Sequence, residues 1–353
     1  MPCGMDGTIY DDCTRPLFTF EGVVDAAPGD RAEPPVRRGA AHGALSRVVV
    51  ISNPRSHRNK RRGLDVPPGV RVESPRTRPE LRRLLADLVR DGLDLVIVAG
   101  GDGTVRDVLT CGADIWAGRE PAIGVLPCGK TNALALDLGV PDDASIAQML
   151  DGWQAGRQTT RSPIEIERMG EGRPVLGFLF GAGIFVDATQ LAQTTHRWGA
   201  VNNLAVGMSI AGSVFSALFG KADSPWRRGK PIAIRYGAAA ISRHGAALDS
   251  SGRVLIMLAS TMERLPMGIP VFGEERAGLK TLVVDAPQRH FLRNFIRILR
   301  GVDTPALERD GIHRVDADEV RVELEGGFIL DGEHFPEGEY LLRRGQPLRF
   351  ALT

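Results

Sequence analysis

The hydrophobic pattern of this chain changes character near its middle. In the first half, Arg47-Val-Val-Val-Ile-Ser52, Leu95-Val-Ile-Val-Ala99 and Ala122-Ile-Gly-Val-Leu126 are near-continuous apolar runs, the pattern of strands buried on both faces. Between the first two, Leu81, Leu84, Leu85, Leu88 and Val89 recur along one face of a helix. Thr77-Arg-Pro-Glu80 predicts its capped start, with Pro79 in the first turn, and Gly92 predicts its end. Thr104, Val105, Val108 and Leu109 open a second helical pattern, and Ser145 to Trp153 carries another. Strand, helix, strand, helix, strand predicts a three-layer α/β domain with a parallel sheet.

From about Ser162 the period shortens. Ile164 to Ile166, Leu176 to Phe180, Ile232 to Tyr236, Val254 to Ala259, Thr281 to Val284, Glu319 to Leu324 and Phe328 to Leu330 are short β-like runs separated by turn signals. They predict a mostly antiparallel β-sandwich domain. The expected division is a poorly ordered extension over 1–43, the α/β domain over 44–160 and the β-rich domain over 161–353.

Composition narrows the class. The 353 residues are 43% hydrophobic and 25% charged, as in a globular protein with two cores. A net charge of +1 gives no general pull toward nucleic acid or membrane, so no nucleic-acid partner is expected and any anion binding must come from local patches. Cys3, Cys13, Cys111 and Cys128 are scattered, and Asp6, Asp11 and Asp12 take the place of a secretory signal's apolar core. A reducing, cytoplasmic location is expected, with peripheral membrane association left open.

The chemistry concentrates after the strands. Gly100, Gly101 and Gly103 surround Asp102 between an apolar strand and a helix start. Glycine lets backbone N–H groups approach a ligand, and a helix N-terminus adds positive potential, so the unit suits phosphate. Arg55, His57, Arg58, Lys60, Arg61 and Arg62 form a basic cluster after the first strand, where α/β folds bind ligands. Gly124 to Thr131 fits the G-x-x-x-x-G-K-[ST] pattern, but Gly124 falls inside a strand and Pro127 removes an N–H from the loop. Asp331-Gly332-Glu333 follows an apolar strand and puts two carboxylates on a turn.

Taken in order, Asn53-Pro54-Arg55-Ser56, Gly100-Gly-Asp-Gly-Thr104, Gly124 to Ala135 and Asp331-Gly-Glu333 resemble the diacylglycerol kinase and sphingosine kinase family of lipid kinases, from about Val48 to about Phe350. The resemblance implies ATP and Mg²⁺ as cofactors and transfer of the γ-phosphate to a hydroxyl of diacylglycerol or a related lipid. It makes the first domain nucleotide-binding, through Asn53, Pro54, Gly100, Gly101, Gly103, Thr104, Gly129, Lys130, Thr131 and Asn132. It makes the second domain lipid-binding and catalytic, with Glu333 as general base, Asp331 orienting it, and Asp102 at the nucleotide or metal or as a rival base. The metal ligands are not named by the sequence. The expected partners are ATP and a lipid at a membrane surface, with a homodimer left open. His57, Arg106, Asp107, Lys130 and Ala133 depart from the family pattern. Two alternatives therefore stand: a kinase of a soluble substrate like the NAD kinases, which share Gly-Gly-Asp-Gly, or a non-catalytic lipid- or nucleotide-binding member.

Three further stretches bear on membranes and sites. Phe180-Gly-Ala-Gly-Ile-Phe-Val-Asp-Ala188 resembles the family's Gly-rich crossing between domains, with Asp187 as a site residue or a helix start. Trp198 to Gly220 is uncharged and long enough to test as a span, but its asparagines, serines and glycines favour a buried helix. In Arg289 to Arg300, Arg289, Arg293 and Arg297 form one helical row opposite Phe291, Leu292, Phe295, Ile296 and Leu299. Such a helix either packs on its own sheet or lies on an anionic bilayer.

Overall fold

The computed structural model describes residues 47–53, 56, 64–116, 118–170, 174–187, 189, 228–238, 240–242, 250–288 and 290–353. The expected extension over 1–43, Pro54, the cluster from Arg55 to Arg62, the Trp198 to Gly220 segment and Arg289 lie outside the described residues. The described residues form two compact units, one falling within Met1–Arg161 together with Pro347–Thr353 and the other within Ser162–Gln346.

The first unit is built on a six-stranded sheet. Its strands are β1 (Val48–Ser52), β2 (Arg71–Glu73), β3 (Leu95–Gly100), β4 (Ala122–Pro127), β5 (Gln158–Arg161) and the C-terminal strand Leu348–Ala351. They lie in the order β2-β1-β3-β4-(348–351)-β5, parallel throughout except where β5 runs against the C-terminal strand. Strands β1, β3 and β4 are buried at every position, as their unbroken apolar runs require. Helix α1 (Arg78–Arg90) starts where the sequence predicted, with the Thr77 hydroxyl accepting from the Glu80 amide. The Glu80 carboxylate accepts from the Arg76 amide instead of closing the box on Thr77. Helices α2 (Asp102–Trp116), α3 (Ala133–Asp137) and α4 (Ile146–Gln154) follow. Gly124 lies inside β4, where a Cβ would press on Met149 and Ile97, so it serves packing and not a phosphate loop.

One boundary differs from the expected division. Leu348–Ala351 is not part of the β-rich domain but inserts between β4 and β5 in the first sheet. Its Phe350 is fully buried there. A short strand cannot announce its sheet, because partner choice is a long-range pairing.

The second unit is antiparallel throughout its 12-stranded sheet. Its strands are β6 (Ile164–Arg168), β7 (Val175–Gly177), β8 (Leu179–Gly183), β9 (Lys230–Tyr236), β10 (Ile241–Ser242), β11 (Ser250–Ser260), β12 (Leu279–Asp285), β13 (Ile312–Ala317), β14 (Glu319–Leu324), β15 (Phe328–Leu330), β16 (Glu333–Phe335) and β17 (Gly338–Arg344). Strand β11 pairs with β9 through its first half and with β8 through its second, and its register against β12 slips between Val254 and Ile256, where the partner on its other edge changes. The change of partner divides the sheet into a β9-β14-β17-β6-β7 branch and a β8-β15-β16 branch. Aromatic rings join the branches: Tyr340 of β17 meets Phe328 of β15 edge-on at 4.9 Å, and Phe328 stacks on Phe335 at 4.9 Å.

The basic helix departs from its predicted apolar row at three positions. In α5 (Phe291–Leu299), Asn294 and Ile298 are buried, whereas Ile296 is 42% exposed. The reason is polar: the Asn294 amide donates to the Asp310 carboxylate at 3.1 Å, just beyond α6 (Pro305–Arg309).

Candidate active site

In the first unit, three loops leave the C-terminal ends of the adjacent strands β1, β3 and β4. Asn53 follows β1 and is fully buried. Its amide N–H donates to the Ala99 carbonyl at 3.0 Å, and its side chain donates to the Thr104 hydroxyl at 3.1 Å. Asn53 thus ties the first loop to the glycine loop after β3. A Cβ on Gly100 would lie 2.5 Å from the Thr104 Cβ, so glycine is required for Thr104 to fold back under the loop.

The β3 and β4 loops are joined along their backbones. The Cys128 amide donates to the Gly100 carbonyl at 3.0 Å, extending the strand pairing by one step. A Cβ on Gly129 would stand 2.5 Å from the Gly101 Cα, and one on Gly101 would stand 3.1 Å from the Gly129 Cα. Two of the glycines that suggested a phosphate cradle therefore serve the approach of one loop to the other. Gly103 differs, since a Cβ there would meet only the Arg106 guanidinium at 3.7 Å.

Asn132 shapes the second loop. It takes a left-handed conformation at φ 52°, its side-chain oxygen accepts from the Gly129 amide at 2.8 Å, and its side-chain nitrogen donates back to the Gly129 carbonyl. Asn tolerates that conformation better than most residues. Helix α3 starts next without a cap from Asn132. Asp102 supplies one from the neighbouring loop, its carboxylate accepting from the Leu134 amide at 3.1 Å. Crowding by protein pushes the Asp102 pKa up, and the amides of Leu134, Ala133, Asp102 itself and Asn132 act against that rise. Lys130 and Thr131 are exposed on the same loop.

Beneath the glycine loop lies a charge cluster that no motif announced. The Asp107 carboxylate receives Arg106 at 3.0 Å and Arg78 at 3.2 Å. The Arg106 and Asp107 side chains are at most 2% exposed. One carboxylate thus gathers two guanidinium groups near Gly103. The sequence showed Arg106 and Asp107 only as departures, and Arg78 gave no signal because its helix precedes the loop by a strand.

In the second unit, Asp331 and Gly332 form the two-residue turn of the β15–β16 hairpin, at φ 46° and 82°. The Asp331 carboxylate accepts from the amides of Phe178 at 3.1 Å and Leu179 at 2.9 Å. These bonds fall where the predicted Leu176 to Phe180 strand divides into β7 and β8. Glu333 opens β16 directly across from Leu330 and is half-buried. Nearby, Lys230 pairs with Asp187 at 2.7 Å. Burial, and then the Lys230 charge, hold His334 below the ordinary histidine range, partly offset by the Gly326 backbone and Asp187. His334 follows Glu333 directly and was legible in principle, while Lys230 reaches the hairpin only through the sheet.

Among the described residues no group of three His, Cys, Asp or Glu side chains could hold a metal ion, and no helix is long and apolar enough to cross a membrane. Magnesium carried with a nucleotide needs only one or two protein carboxylates besides the phosphates. Asp102, a half-buried carboxylate at a loop of backbone amides, fits that donor set.

Comparison with known proteins agrees with this arrangement. Residues 47–161 match the family described as diacylglycerol kinase catalytic domain. The chain is 38% identical over 68 residues to a probable lipid kinase YegS-like protein of Cronobacter sakazakii, covering 19% of this chain and 23% of that one. It is 34% identical over 117 residues to a diacylglycerol kinase of Mycobacterium tuberculosis, covering 32% of each chain. The matches thus span a third or less of these curated relatives. A crystal structure of a putative diacylglycerol kinase from Bacillus anthracis superposes with a TM-score of 0.61 at 18% identity, covering 88% of this chain and 99% of that one. A second from the same organism gives 0.55 at 16% identity, covering 88% and 98%. At such identity the likeness is one of fold. The resemblance to the diacylglycerol kinase family, and the α/β and antiparallel fold class read from the periodicity, are borne out.

Proposed function

We propose that the chain is an ATP-dependent lipid kinase, transferring the γ-phosphate to a hydroxyl of diacylglycerol or a related lipid. The observation that carries this reading is the junction of the Gly100–Thr104 and Gly129–Asn132 loops, made by Gly101 against Gly129 and by Asp102 on the Leu134 amide, inside the segment that matches the diacylglycerol kinase catalytic domain.

Phosphoryl transfer asks a protein mainly for position and charge neutralisation. Asn53 and Thr104 brace the joined loops that would meet the nucleotide phosphates, and the Arg78–Asp107–Arg106 cluster lies below them. Lys130 and Thr131, exposed on the loop, extend that contact. Bound with ATP, Mg²⁺ neutralises phosphate charge, and Asp102 is the carboxylate suited to hold it. Glu333 takes the proton from the lipid hydroxyl as its oxygen bonds to the γ-phosphorus, and the bond from that phosphorus to the ADP oxygen breaks. Asp331 acts at one remove, fixing the hairpin that carries Glu333.

The test is transfer of radiolabelled phosphate from ATP with Mg²⁺ to mixed micelles of diacylglycerol, monoacylglycerol, sphingosine or ceramide. A labelled lipid that disappears in Glu333→Gln supports the reading and names the substrate. Label on NAD alone would move the chain to the soluble-substrate kinases. ATP binding without any transfer would make it a non-catalytic member.

A further inference from the structure

We propose that α5 is a membrane-contacting element whose outward stripe, Arg293, Ile296 and Arg300, rests on an anionic lipid bilayer. From Arg289 to Gly301 the chain has four arginines and no acidic residue. The packing of the helix decides which of these face out. Ile298 enters the core with Leu282, Val284, Leu307 and Ile312, and Asn294 is held by the Asp310 carboxylate. Positions 294 and 298 therefore fix one side of the helix inward. Arg293, Ile296 and Arg300, at i, i+3 and i+7, form the exposed stripe opposite.

The composition of that stripe selects its partner. Ile296 is among the few large hydrophobic side chains left exposed among the described residues. A lone exposed isoleucine is ordinary, but one set between arginines on a helix with no acidic residue is the arrangement of an interfacial helix. Its apolar side chain enters the head-group boundary and its arginines keep their charges at the lipid phosphates. The nearby acids are held away from the stripe, Asp310 by its bond to Asn294 on the inward side of the helix and Asp303 at 3.5 Å from Arg314. A nucleic acid would use the arginines and leave the isoleucine without a role. Each arginine near an anionic surface strengthens partitioning about fivefold. One stripe thus gives weak, reversible attachment, suited to a protein that must leave the surface.

The experiment is flotation of the full chain, without ATP, with vesicles of phosphatidylcholine alone or of phosphatidylcholine with phosphatidylglycerol. The expected result is binding to the anionic vesicles only, lost when salt rises from about 0.1 M to about 1 M and the screening length falls from roughly 10 to 3 Å. Arg293→Glu/Arg300→Glu should cut binding more than tenfold and Ile296→Ser several-fold, each with an unchanged melting temperature. Arg83→Glu, a charge reversal at an exposed arginine of the first unit, should leave binding near normal. Equal binding to neutral vesicles, or binding indifferent to the stripe variants, would overturn the proposal. So would loss of vesicle binding in Arg83→Glu equal to that in the stripe variants, or duplex DNA binding that falls in step with them. Binding is read without catalysis, so failure here and failure of phosphate transfer are separate results.

Discussion

Gly101 and Gly129 meet backbone to backbone: a Cβ on Gly129 would stand 2.5 Å from the Gly101 Cα, closer than any real side chain can sit. Gly129→Ala should accordingly force the two loops apart and cost about 1–3 kcal/mol, several degrees in melting temperature. Gly103→Ala meets only a guanidinium at 3.7 Å and should melt within about a degree of the parent protein. Calorimetry on the two variants decides it, and equal melting temperatures would remove the joined-loop account.

Asp102 gives a pH signature. Its folded pKa lies above the ordinary 3.8 because burial disfavours the charged form. Such an acid favours the folded state when protonated, and that contribution is lost as pH rises from the unfolded value through the folded one. Asp102→Asn keeps an oxygen for the Leu134 amide and removes the charge. Measured without Mg²⁺, the melting temperature of the variant relative to the parent should increase as pH is raised from about 4 toward neutrality. A gap that narrows over that range would contradict the burial.

The two carboxylates of the hairpin should separate by assay. Asp331→Ala strands the Phe178 and Leu179 amides and leaves alanine at φ 46°, costing about 2–4 kcal/mol in urea unfolding. Asp331→Asn keeps one acceptor oxygen and tolerates the left-handed turn, so its loss should stay under about 1 kcal/mol. Glu333→Gln should leave stability unchanged while phosphate transfer falls about 10²–10⁴-fold, the range for a lost general base. Retained transfer in that variant would return the role to Asp102.

Asp107 holds two guanidinium groups, one of them wholly buried. Asp107→Ala should cost about 3–5 kcal/mol, because Arg106 is left charged in the interior. Asp107→Ala/Arg106→Met should recover much of that loss, the non-additivity expected of contacting groups. Additive losses in denaturant unfolding would mean that the cluster is not coupled.

The elements were legible in local patterns of the chain. Buried apolar runs gave β1, β3, β4 and β15, the Thr77 cap began α1, alternation gave β14, and Asp331-Gly332 gave a hairpin turn. Through the family resemblance the sequence also brought the glycine loops, Asn53 and Glu333 forward as a set. Tertiary structure alone decided what each residue touches. It placed Leu348–Ala351 in the first sheet, set Gly129 against Gly101, turned Asp102 onto the Leu134 amide and joined Arg78 to Asp107. It also turned α5 so that Asn294 faces inward and Ile296 outward, against the count of apolar positions. The physical reason is common to these cases. Periodicity records which residues prefer to leave water, whereas a hydrogen bond or close backbone approach depends on a partner tens or hundreds of residues away, which no local pattern encodes.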